Sequence, residues 1–115
     1  MAVPECLFCG IAAGEIPATV VLDSPRTLAF RDINPKTPTH VLVIPKAHYP
    51  SLATLAVEES LLAELVAQVH EVARAEGIAD TGYRVVFNTG GHAGQSVDHV
   101  HAHVLGGRPM SWSPG

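Results

Sequence analysis

Apolar and polar positions repeat with two different periods along this chain, and the places where the period changes mark its elements. Residues 7–14 mix apolar with small side chains and predict a short first helix ending near Gly14. Thr19–Leu22 and Thr27–Arg31 read as two strands around the turn signal Asp23-Ser24-Pro25. Asn34-Pro35-Lys36-Thr37-Pro38 is a loop, and His40–Pro45, with Val41, Leu42, Val43 and Ile44 in succession, predicts a buried central strand. Over residues 57–76 the period becomes helical. Leu62, Val66, Val69 and Ala73 recur at helical spacing, Glu58, Glu59, Glu64, Glu71 and Arg74 fall mostly elsewhere, and Gly77 supplies a C-terminal stop. A strand at Tyr83–Asn88, a glycine-rich connection at Thr89–Ser96 and a last strand at 99–105 complete the pattern. Strands broken by one long helix, with hairpin-like connections, predict an α+β fold with an antiparallel sheet.

A length of 115 residues predicts a single domain, 1–115, with one core. With 47% hydrophobic and 16% charged residues, the composition is that of a compact chain rather than a disordered one. Net charge is −4, and the seven lysines and arginines are scattered singly, so no basic stripe exists to grip a long DNA or RNA. No apolar stretch approaches the roughly 18 residues that span a bilayer. Met1 to Cys6 carries neither basic residues nor a hydrophobic signal core. A cytoplasmic location without a membrane partner is therefore expected.

The run His99-Val100-His101-Ala102-His103-Val104-Leu105 carries the strongest chemical signal. On a strand, Val100, Ala102 and Val104 would face a core, while His99, His101 and His103 would share the opposite, exposed face at a spacing of about 6–7 Å. Three readings compete: a histidine-rich polar face, a metal site, or nucleophilic catalysis by the central imidazole with its neighbours holding an anion. The segment Asn88-Thr89-Gly90-Gly91-His92-Ala93-Gly94-Gln95-Ser96 favours the last. Its glycines let backbone N–H groups approach an anion, and Ser96 becomes a donor to a leaving group.

Other positions fit the same site. Asp32, at a strand exit, suits either a turn or the two hydroxyls of a ribose, and His40 suits either a strand end or the same phosphate region. Cys6 and Cys9 are too close in sequence to staple the fold. They read as buried thiols, as a redox pair, or as half of a zinc site completed by His48 and His99, although the long gaps between these residues are not zinc-finger spacing. Trp112, the one tryptophan, sits in a proline-bearing tail and needs cover from its own sheet or from a partner subunit.

His99–Leu105 resembles the His-φ-His-φ-His-φ-φ signature of the histidine triad (HIT) superfamily. Gly14-Glu15-Ile16-Pro17, Leu28–Ile33, Pro38–Lys46, Gly94-Gln95-Ser96 and the ending Gly106–Gly115 resemble its Hint branch, so the resemblance covers essentially the whole chain. It implies a HIT-like fold with an antiparallel sheet of about five strands, one long and one short helix, and a homodimer. It also implies hydrolysis of purine nucleoside 5′-phosphoramidates through a nucleotidyl-histidine, with no cofactor needed for catalysis. By position, His101 would attack the α-phosphorus, the carbonyl of His99 would orient it, and His103 and His40 would flank the phosphate. Ser96, Gly94 and Gln95 would line that phosphate with Asn88 in support. Asp32 would hold the ribose, Phe8, Phe30 and Ile33 would surround the base, and Trp112 would join the substrate-binding set. Many bacterial relatives are similar in carrying structural zinc, here on Cys6, Cys9, His48 and His99.

Two departures stand out. Ala102 replaces a larger aliphatic behind the triad, and Ser113 replaces a proline in the tail. The alternatives are a dinucleoside polyphosphate hydrolase, which the Trp112 tail argues against, a nucleotide-binding or scaffolding module, and a metal-dependent hydrolase using the triad as ligands. Apolar contacts to a base leave adenine and guanine undistinguished.

Overall fold

Seven consecutive buried residues, Thr39–Pro45, form the strand on which the protein is assembled. In the computed structural model, which describes residues 3–114, it is the middle of a five-stranded sheet; Met1, Ala2 and Gly115, part of the expected 1–115 domain, lie outside the described residues. The elements run α1 (Leu7–Ala12), β1 (Val20–Asp23), β2 (Thr27–Arg31), β3 (Thr39–Pro45), α2 (Leu52–Leu55), α3 (Glu59–Ala75), β4 (Tyr83–Val86), a 3₁₀ turn (Gly91–Ala93) and β5 (Ala102–Gly106). The strand order is β1-β2-β3-β5-β4 and every pair is antiparallel. This is the expected α+β class.

Burial on both faces explains why β3 is a continuous apolar run. Val41 and Val43 join Ala29, Ala102 and Val104 beneath α3, whereas Leu42 and Ile44 join Leu28, Phe30 and Phe8 beneath α1. The long helix lies on the first of these faces through Leu61, Leu65, Val69, Val72 and Ala73. Leu65 is fully buried, and its truncation to alanine would cost about 2–5 kcal/mol.

The helix differs from its sequence reading in two ways. It begins at Glu59 rather than 57, preceded by the single turn α2, which the hydropathy pattern does not mark. The first half of its buried stripe is also displaced by one residue: Leu61 and Leu65 are buried, Leu62 is only half-buried and Val66 is 43% exposed, while Val69 and Ala73 are buried as expected. Both stripes are apolar, so periodicity alone could not choose between them. Gly77 closes the helix at φ +73°, in the left-handed region glycine favours.

The last strand starts at Ala102, three residues later than expected. Val100 N–H leaves the ladder and donates instead to Tyr49 C=O at 2.7 Å. The histidine run is therefore half irregular and half strand. No helix among the described residues is long and apolar enough to cross a membrane.

Candidate functional site

The irregular start of the histidine run separates the three imidazoles, which do not share one exposed face as the alternation predicts. His99 is fully buried and turns its ring toward α1. His101 is buried and His103 half-buried, their ring centroids 5.0 Å apart, beside a cleft of about 330 Å³. Phe8, Phe30, Asp32, Ile33, Ser96, His101 and His103 all line that cleft. Leu7, Ile11, Ile16 and Leu42 add apolar wall that sequence reading did not single out.

Backbone groups set the proton on His101 and His40. His101 Nδ1–H donates to the carbonyl of His99 at 2.8 Å, which leaves His101 Nε2 with its lone pair. Phe8 stands edge-on to His101, centroids 5.0 Å apart at 88°, and to Phe30 at 5.5 Å. The nucleophilic candidate is thus held from one side by a carbonyl and from another by an aromatic edge.

A second chain of bonds fixes His103. Lys36 N–H donates to His40 Nδ1 at 3.0 Å, so His40 carries its proton on Nε2. That Nε2–H reaches His103 Nδ1 at 2.9 Å, with an Asp32 carboxylate oxygen 3.4 Å away. His103 in turn carries its proton on Nε2, as a donor. Register explains the meeting: His103 pairs with Leu42, two residues along β3 from His40, so the two histidines are diagonal neighbours on one face. Burial pushes His103 down to about 4, with the nearby His101 and His40 adding to the effect. Burial also lowers His40, against the opposing pull of Asp32. Both rings are neutral at pH 7.

Asp32, His40 and His103 bring their ligand atoms within 4.8 Å of one another. They make a poor metal site nonetheless. A metal on His40 Nε2 would force the proton onto Nδ1, against the Lys36 N–H that already points there.

The remaining expected residues divide. Asp32 Oδ1 accepts Asn34 N–H at 2.8 Å and so makes a turn while lining the cleft. Ile33 is 100% exposed at its rim. Ser96 is exposed at its edge, whereas Asn88 and Gly94 do not line it. The Gln95 amide is tied to three main-chain groups. Trp112 is 88% exposed and uncovered by its own sheet, its tail tethered by Arg84 Nη2 donating to Ser111 C=O at 3.0 Å.

The four zinc candidates do converge. Cys6 Sγ lies 3.4 Å from His99 Nδ1, and Cys9 Sγ lies 3.3 Å from His48 Nδ1 and 3.5 Å from His99 Nδ1. Zn–S bonds of about 2.3 Å and Zn–N bonds of about 2.0–2.1 Å place neighbouring donors of a tetrahedron roughly 3.5 Å apart. His99 Nε2–H donates to Pro45 C=O at 2.8 Å, which frees Nδ1 as the ligand atom. Burial holds His99 neutral, at about 4, and raises the Cys9 thiol. The donor set, its spacing and its tautomer all fit Zn²⁺. The His99 ring faces the two cysteines while its backbone carbonyl accepts from His101.

Known proteins share this fold. A HIT family hydrolase from Legionella pneumophila Philadelphia 1 superposes with a TM-score of 0.93 at 50% identity, covering 96% of this chain and 100% of that one. A 14 kDa zinc-binding protein of Zea mays is 47% identical over 112 residues, 95% of this chain and 87% of its own length. A purine nucleoside phosphoramidase of Escherichia coli (strain K12) is 42% identical over 107 residues, 92% of this chain and 90% of that protein. The family model for the HIT domain matches residues 13–110, and the chain belongs to the histidine triad superfamily, on its Hint-like branch.

Proposed function

We propose that the protein is a purine nucleoside 5′-phosphoramidate hydrolase working through a nucleotidyl-histidine. The observation that carries this reading is the 2.8 Å bond from His101 Nδ1–H to the His99 carbonyl, which leaves Nε2 unprotonated beside the cleft. His101 Nε2 attacks the α-phosphorus and forms a P–N bond as the original P–N bond to the amine breaks. His103 Nε2–H donates to a phosphoryl oxygen, where negative charge grows. Ser96 Oγ–H donates to the departing nitrogen. Water then attacks phosphorus, the bond to His101 breaks, the proton the water gives up restores the Ser96 hydroxyl, and the nucleoside monophosphate leaves.

Phe8, Phe30 and Ile33 supply the apolar surface for the base, and Asp32 keeps carboxylate lone pairs for the ribose beyond its turn bond. Gly94 and Gln95 with Asn88 shape the loop beneath the phosphate. A zinc ion on Cys6, Cys9, His48 and His99 supplies structural cross-linking when bound, and the imidazoles do the chemistry without a cofactor. The chain acts as a single domain in the cytoplasm and as a homodimer. Support for the dimer comes from the uncovered Trp112, which then serves substrate binding across subunits.

AMP release from adenosine 5′-phosphoramidate, by wild type and His101→Ala with and without chelator, tests the reading. Loss in the variant alone is expected. Loss on chelation alone would replace it with metal-dependent hydrolysis.

A further inference from the structure

The connection from β4 to β5 is rich in glycine, and one side chain holds it in place. Gly90 and Gly94 both sit at positive φ, +85° and +83°, where a tether must supply the order the sequence lacks. Gln95 Oε1 accepts Gly90 N–H at 2.9 Å, and its Nε2 donates to Pro50 C=O at 2.7 Å and to Val97 C=O at 3.0 Å. The Gln95 backbone N–H returns to Gly90 C=O at 3.1 Å. Both amide hydrogens are spent, so the side chain has none left for a phosphate. What it does reach is Val97 C=O just after Ser96 and Gly90 N–H at the start of the loop, together with Pro50 C=O in the segment after β3. That segment also holds Val100 N–H through Tyr49 C=O at 2.7 Å, and so anchors the approach to His101.

We infer that Gln95 is a positioning residue, whose side chain sets the Ser96 hydroxyl against the leaving group instead of binding the phosphate. This rests on the phosphoramidase reading and assigns Gln95 a different task within it. If it holds, the loss of Gln95 matters in proportion to how much the leaving group needs a proton donor. An alkyl amine cannot depart without protonation, whereas p-nitrophenolate can.

The test uses two substrates with the same nucleoside and phosphorus: an alkylamine conjugate of AMP and the p-nitrophenyl ester of AMP. Gln95→Met keeps the length and removes all three bonds. It should lower kcat on the amine conjugate by about 10–100-fold, leave the ester within about threefold, and change KM little on either. Gln95→Glu, which sets a carboxylate against two carbonyls, should show the same split. Ser96→Ala should reproduce the pattern, and the double variant Gln95→Met/Ser96→Ala should be no worse than Ser96→Ala alone. Equal losses on both substrates, or a double variant whose defects multiply, would overturn the positioning role while leaving the phosphoramidase reading intact. A wild-type protein that turned over neither substrate would overturn both.

Discussion

The carbonyl of His99 and the Nδ1–H of His101 meet at 2.8 Å, and through that bond one residue serves two centres. The His99 side chain faces Cys6 and Cys9, its Nε2–H is held by Pro45, and its main chain orients the neighbouring imidazole. The tautomer of His101 is therefore set by a main-chain carbonyl and does not depend on a carboxylate partner.

His103 and His40 act as a pair on this account. His103→Ala removes the donor to the phosphoryl oxygen and should lower kcat by about 10²–10³-fold. His40→Ala should give a smaller loss in the same direction, because His103 then loses the partner that fixes its tautomer. The double variant should match His103→Ala alone in steady-state kinetics. Defects that multiply would show that the two act separately.

Acid should weaken the fold through the same pair. Burial holds His103 at about 4 and lowers His40, whereas an unfolded histidine titrates near 6.5. Between those values the unfolded chain binds more protons than the native one, so stability is fully present above about pH 6.5 and falls as the pH drops toward 4. Urea unfolding at pH 7.5 and pH 5 should show the lower midpoint at pH 5, with the gap narrowed in His103→Gln. A variant with an unchanged gap would remove His103 from this explanation.

Zinc should matter to stability more than to chemistry. Cys9→Ser removes a buried donor of the four-residue cluster, so the purified variant should carry less zinc by elemental analysis and unfold several degrees lower. Its kcat should fall far less than that of His101→Ala. A variant with normal metal content would dissolve the proposed site.

Much of this was legible in the sequence because side-chain identity carried it. The continuous apolar run of β3, the helical period of α3 and the meeting of Cys6, Cys9, His48 and His99 follow from residue types and from a family resemblance spanning the chain. What sequence could not supply was mostly backbone. Lys36 N–H on His40, Pro45 C=O on His99 and Tyr49 C=O on Val100 are main-chain groups that every residue possesses, and no motif marks them. The last of these pulls the histidine run out of the ladder, so strict strand alternation misplaced His99 on an exposed face. On the first half of α3, the one-residue displacement of the buried stripe arose because Leu61-Leu62 and Leu65-Val66 are apolar in both registers, whereas Val69 and Ala73 are buried as expected.

The most direct test of the central claim is intact-protein mass after rapid mixing with adenosine 5′-phosphoramidate. The reaction would be quenched at alkaline pH, where a phosphorus–nitrogen bond to imidazole survives. A transient adduct of one adenylyl group per chain is expected, mapping to His101 and absent from His101→Ala together with turnover. Turnover by His101→Ala at the wild-type rate, or an adduct mapping to another residue, would contradict it.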